Sequence, residues 1–170
     1  MFVIEPCCTQ KQLLALRSKL GVDGTTFFHG YGDLSLAELL PVLLTRYSEA
    51  DVMIVAPSLP NGAAKVLRQM MDKQWSDGKG VVNAIGHLTL VADLRKSKSP
   101  AASAWVQENP FKERLTLHDV QQNDTAIILP DIALYGSINL TYGGHFSGIA
   151  TKRARTIESL RLMYGSLARR

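Results

Sequence analysis

The run DVMIVAPS, residues 51–58, is apolar at five consecutive positions, Val52 to Ala56, and Pro57 closes it. A strand with one wet face alternates apolar and polar residues. An unbroken apolar run of strand length belongs instead to a strand covered on both faces. Such a strand needs packing elements above and below the sheet, which confines the chain to layered α/β architectures. Both flanks can supply them. LSLAELLPVLLTRYSEA (34–50) is strongly apolar and helical in character, with Asp33 or Ser35 to cap it and Glu38 as the capping-box partner of Ser35. Pro41 sits early enough to kink that helix without ending it. Beyond Pro57 and Pro60, residues 62–75 read as a second helix with Val66, Leu67, Met70 and Met71 turned inward.

The same alternation runs through the first two thirds of the chain. FVIE (2–5) reads as an opening strand, QKQLLALRSKL (10–20) as a helix stopped by Gly21, and TTFFHGY (25–31) as a β-branched and aromatic strand. GHLTLVADL (86–94) is a further strand, RKSKSP (95–100) an exposed loop, and SPAASAWVQEN (99–109) a short helix. From Arg114 the texture turns to strands joined by polar turns: RLTLHDV, DTAIILP and IALYGSINLT. TIESLRLMYGSL (156–167) closes as an amphipathic helix with Ile157, Leu160, Tyr164 and Leu167 on one stripe, Thr156 as its cap and Glu158 in its first turn. The expected fold is one α/β domain over 1–170, a mixed β-sheet flanked by helices, with parallel strands joined by helices and antiparallel hairpins at the end.

Hydrophobic residues at 46% and charged residues at 20% describe a globular chain. No run approaches the roughly 18 apolar residues of a membrane span, and MFVIEPCC lacks the features of a secretory signal. Cys7 and Cys8 are adjacent and have no third cysteine to pair with, so free thiols and a cytoplasmic setting are expected. Four scattered histidines and two adjacent cysteines give no metal-ligand spacing, and no phosphate-loop, dinucleotide or nucleophile-elbow motif occurs. No cofactor is expected. The formal charge of +4 is uneven: residues 151–170 carry six basic side chains against Glu158, leaving the first 150 residues at −1. Lys152, Arg153 and Arg155 cluster just before the last helix, on the unfavourable side of its dipole. Local stability does not account for them. Two readings stand: a solvated basic end, or contacts to a nucleic-acid backbone, without sequence-specific reading.

LYGSINLTYGG, residues 134–144, combines a strand-like approach with Gly136, Ser137 and Asn139. A spacing of two puts Ser137 and Asn139 on one face of an extended segment, and Gly136 permits a close backbone approach. Two small polar side chains aimed together suit an oxyanion, and equally suit a strand end that satisfies its own backbone. The Gly-Ser-x-Asn pattern, with the order of elements before it, resembles the phospholipase D superfamily, in particular its single-domain nuclease-type members. The resemblance implies that fold, a phosphate site at Gly136, Ser137 and Asn139, and a homodimer in which each copy contributes half of one site.

The other half of the family's pattern, His-x-Lys followed after four residues by Asp, is altered. Counting back from Gly-Ser-x-Asn places Gln122 on the histidine, Asp124 on the lysine and Leu129 on the aspartate. An amide cannot form the phospho-enzyme intermediate, a carboxylate reverses the sign of the lysine's attraction for phosphate, and leucine orients nothing. The resemblance thus implies an inactive, phospholipase D-like domain that binds nucleic acid or another phosphorylated partner. Two alternatives accompany it. One is an active phosphodiesterase or nuclease whose site is rearranged, pairing His118 or His145 with Ser137; His29 and His87 are the remaining imidazoles. The other is a structural dimerisation module.

Overall fold

The computed structural model describes residues 2–4, 24–31, 39–40, 43–44, 47, 49–72, 85–96, 100, 104–105, 108, 111–137 and 145–167, with the backbone alone at 2–4, 28–31, 145 and 146. The expected helix over 10–20, Cys7 and Cys8, the Asp33 and Ser35 caps, Pro41 and Asn139 lie outside these residues.

The architecture is α/β, built on one mixed sheet of eight strands. In chain order the strands are β1 (Phe2–Ile4), β2 (Thr25–Tyr31), β3 (Ala50–Ala56), β4 (Ile85–Ala92), β5 (Leu115–Asp119), β6 (Thr125–Ile128), β7 (Ala133–Ser137) and β8 (His145–Thr151). Helix α1 spans Asn61–Met71, a 3-10 turn spans Lys112–Arg114, and α2 spans Ala154–Leu167. The spatial order is β1-β2-β8-β7-β6-β3-β4-β5. β3, β4 and β5 are parallel neighbours, β3 to β6 to β7 to β8 to β2 are antiparallel steps, and β1 lies parallel to β2. Both expected textures are present: the crossover half carries α1, and the later strands form a meander that α2 follows.

The apolar run at β3 behaves as its composition demands. Six of its seven residues are buried, and only Asp51, at one end, is exposed. Val52, Ile54 and Ala56 face one core; Met53 and Val55 face the other. On the first face lie α1, through Ala63, Ala64, Leu67, Met70 and Met71, and the helical positions Leu39, Leu40, Leu43 and Leu44. Leu39, Leu40, Leu43 and Leu44 repeat at helical spacing, so one stripe of that segment reaches the sheet. Trp105 joins them, fully buried and edge-on to Phe111 at 6.2 Å between ring centres. Val66, expected inward, is half-buried at the margin of this core.

The opposite face is covered by α2. Ile157 and Tyr164 are buried against Met53, Val55, Val91, Ala126, Ile128 and Ala133, with Leu160 and Leu167 packed beside them. The stripe expected from the sequence is the stripe observed. Its start differs: α2 begins at Ala154, so Thr156 lies inside the first turn and no acidic residue is in that turn. A hydroxyl on the approach to the helix belongs to Thr151 at the end of β8, which is fully buried. Its Oγ1 accepts the Arg153 backbone N–H at 3.2 Å and donates to the Gly24 carbonyl at 3.4 Å. One hydroxyl has one proton, so in the 3.1 Å contact between the two threonines Thr25 is the donor.

β8 itself is absent from the expected elements. Its middle holds Ser147 and Gly148, which weaken a β pattern. Gly148 pairs with Gly136 of β7, whose φ is +142°. A Cβ on Gly136 would stand 2.6 Å from both the Gly148 Cα and the Ser147 carbonyl oxygen. The two backbones approach closely there, and only glycine at 136 tolerates both the dihedral and the contact.

Candidate binding cleft at the ends of the central strands

β3 runs parallel to β7 and antiparallel to β6, so the end of β3, the start of β6 and the end of β7 meet at one end of the sheet. There the chain leaves β3 toward β4 on one side while β6 occupies the other, the kind of divergence that opens a crevice in α/β sheets. A cleft of about 710 Å³ lies at that point. Its floor is Ala56 to Ser58 and Tyr135 to Ser137, one wall is Asn123 to Thr125, and α2 supplies the other through Leu160, Met163 and Tyr164. This volume lies within the usual range for small-molecule sites.

The polar chemistry of the cleft is carried by Asp124, Asn123, Ser58, Ser137, Tyr135 and Tyr164. The Tyr164 hydroxyl donates to Asp124 Oδ2 at 3.4 Å. Burial of the phenol first, then the Asp124 charge, that hydrogen bond and Tyr135 push its pKa up to about 12. At neutral pH Tyr164 is therefore an uncharged donor, and Asp124 is the formal charge among the described lining residues. No lysine or arginine lines the cleft among the described residues. α1 begins beside it, after Pro60, but a helix N-terminus presents only about half a positive charge, less than the full carboxylate.

Of the residues singled out from the sequence, Gly136 and Ser137 line this cleft, at the end of β7, and Ser137 is exposed there. Asp124 lines it too. Gln122 does not: it is buried, and neither end of its amide has a hydrogen-bond partner among the described residues. Leu129 lies fully buried in the first core. The three positions aligned with His, Lys and Asp therefore share no single site.

The rearranged pairing with His118 is not assembled within this chain. The register His118–Val91–Val55–Ala126–Tyr135 places His118 four strand steps from β7, about 19 Å at the ordinary spacing. His118 sits on the edge strand, and partial burial holds its pKa below the ordinary histidine value. His145 opens β8 at the backbone position paired with Tyr31, two residues before Ser147, which pairs with Ser137. His29 occupies the β2 position paired with Ser147. His87 contacts Thr116 Oγ1 through Nε2 at 3.1 Å, a strand-to-strand tie.

The basic cluster is at the other end of the sheet. Thr151 pairs with Ala133 at the start of β7, whereas Ser137 ends that strand at the cleft. Lys152, Arg153 and Arg155 follow Thr151 directly, so they lie a strand's length from the cleft. Arg153 and Arg155 are exposed and Lys152 is half-buried. Farther along α2, the Arg161 guanidinium donates to the Asp51 carbonyl at 2.9 Å and serves packing.

What sequence reasoning missed is the grouping of Tyr135, Asp124 and Tyr164 around one space. One signal was available: a tyrosine on the buried stripe of an amphipathic helix carries a hydroxyl that needs a partner. Among the described residues no group of three or more His, Cys, Asp or Glu side chains could hold a metal ion, and no helix is long and apolar enough to cross a membrane. Comparison with protein-family models, curated proteins and solved structures gave no match.

Proposed function

We propose that this chain is a non-catalytic binding domain of phospholipase D-like architecture. The observation that carries the reading is Asp124. It lines the cleft beside Ser137, at the position aligned with the family's lysine, and offers phosphate repulsion where catalysis needs attraction. The position aligned with the nucleophilic histidine is a buried amide outside the lining. The decisive assay is turnover of a bis-aryl phosphodiester and of single- and double-stranded DNA by the purified chain. Expected is no turnover above buffer. Turnover that disappears in Ser137→Ala would overturn the reading and restore the rearranged enzyme.

A second reading concerns the opposite end of the sheet. Three cations stand where the α2 dipole disfavours them, at the end of β8 and in the first turn, which supports a role in holding a nucleic-acid backbone. Fluorescence anisotropy of a labelled duplex should then show binding that weakens steeply between low and moderate salt. It should fall further when Lys152, Arg153 and Arg155 are replaced together by glutamine. Binding untouched by that triple replacement would remove the cluster from consideration. The homodimer implied by the resemblance is tested by sedimentation over a range of concentrations; a monomer throughout removes it.

A further inference from the structure

We infer that the cleft beside Ser137 receives an organic ammonium group, whose cation sits against Asp124 while its carbon chain lies along Tyr135, Leu160 and Met163. This rests on the non-catalytic reading above and gives its binding site a ligand class.

The chemistry follows from the inventory of the lining. Asp124 brings a full negative charge, and its hydrogen-bond partner among the described residues is a neutral phenol. A carboxylate held by one neutral donor keeps unused acceptor sites. A primary ammonium has three donors and no acceptor, and Ser58, Ser137 and Asn123 supply further oxygens at the same cleft. Tyr135, half-buried, presents aromatic surface, which attracts a cation over its face, while the buried Tyr164 holds Asp124 through its hydroxyl. Leu160, Met163, Pro57 and Pro60 complete an apolar border suited to methylene groups. Phosphates and carboxylates meet the opposite field, offset only in part by the start of α1. A bare ammonium ion fills little of about 710 Å³, so the ligand carries an organic body.

Two sources share this chemistry: a free diamine, and a lysine side chain presented by a peptide. Isothermal titration of the full chain with cadaverine, and separately with Nα-acetyl-lysine methylamide, distinguishes them. 1,5-Pentanediol serves as the uncharged match and phenyl phosphate as the anion. Saturable binding of at least one amine is expected, with the diol bound about tenfold more weakly or worse, and no binding of phenyl phosphate. Asp124→Asn, nearly isosteric at an exposed position, should weaken the amine about tenfold or more. Met163→Lys, which sets a second cation at an exposed part of the rim, should do the same through repulsion, and an unchanged unfolding midpoint shows that either variant is folded. Tighter binding of cadaverine than of the lysine derivative identifies a free amine; the reverse identifies a peptide.

Absence of saturable amine binding overturns the inference, as does binding that both variants leave intact. Phenyl phosphate binding that Asp124→Asn improves also overturns it, and returns the cleft to phosphate. Failure of the amine leaves the non-catalytic reading standing, since only phosphodiester turnover removes that.

Discussion

The two faces of the sheet are built on different scales. One buries α1, the helical stripe of Leu39, Leu40, Leu43 and Leu44, and Trp105 over strands β3, β4, β6 and β7. Among the described residues, the other packs Met53, Val55, Val91, Ala126, Ile128 and Ala133 against Ile157 and Tyr164 of α2, and that helix doubles as a wall of the cleft. Stability scales with apolar area removed from water, so among the described residues the first face contributes the larger share. The cleft opens on the second side, where Leu160 and Met163 of α2 are incompletely buried. Where packing is thin, side chains are free to serve a ligand.

The sharpest break in that comparison comes from truncating matched aliphatics. Leu67→Ala on the thick face should cost about 4 kcal/mol, since a fully buried leucine surrounded by core leaves a cavity that cannot collapse. Ile157→Ala on the thin face should cost about 2 kcal/mol, because α2 can settle toward the sheet. Urea unfolding of both variants reads the difference, and equal costs would remove the distinction between the faces. Gly136→Ala should follow, at about 1–3 kcal/mol for the dihedral alone, with its close contact to β8 adding to the loss. Gly62→Ala, at an open position in the first turn of α1, is the control and should be near neutral or slightly stabilising.

Thr151→Val probes the hydroxyl that ties β8, Gly24 and the approach to α2 together, with an expected loss of about 1–2 kcal/mol in the same experiment. The smallest effects are electrostatic. The Tyr164 pKa is raised above the value a tyrosine has in an unfolded chain, about 10. Its contribution is therefore full below pH 10 and lost as pH rises toward about 12. Unfolding midpoints should decline over that window, less steeply in Tyr164→Phe. His118 has the opposite sign: a histidine with a lowered folded pKa contributes above its unfolded value and loses that contribution in acid. His118→Asn should flatten the acid limb; an unchanged slope would place that histidine in solvent.

How far the sequence reveals this molecule varies with the range of the interaction concerned. β3 is legible because both cores act on one short segment, leaving no polar position in its middle. The α2 stripe is legible because helical periodicity is local. β8 is not: Ser147 and Gly148 answer to β7, a neighbour whose backbone approach no local pattern records. The Thr151 tie is hidden for the same reason, since its partners include Gly24 and Thr25, more than 120 residues away. Ser137 and Gly136 were found as cleft residues through a short motif. Asp124 was read as a lost lysine, and its pairing with Tyr164, 40 residues later, needed the helix to be laid across the sheet.

The order of synthesis gives the position of α2 a further meaning. All eight strands precede it in the chain, so a ribosome delivers the sheet and the thick core first. Until residues 154–167 emerge, Met53, Val55, Val91 and Ile128 lack their packing against Ile157 and Tyr164, and the cleft lacks a wall. A nascent chain at that stage presents an apolar sheet face, the kind of surface that chaperones hold and that aggregates seek. Docking of this helix is then the step that completes the binding site.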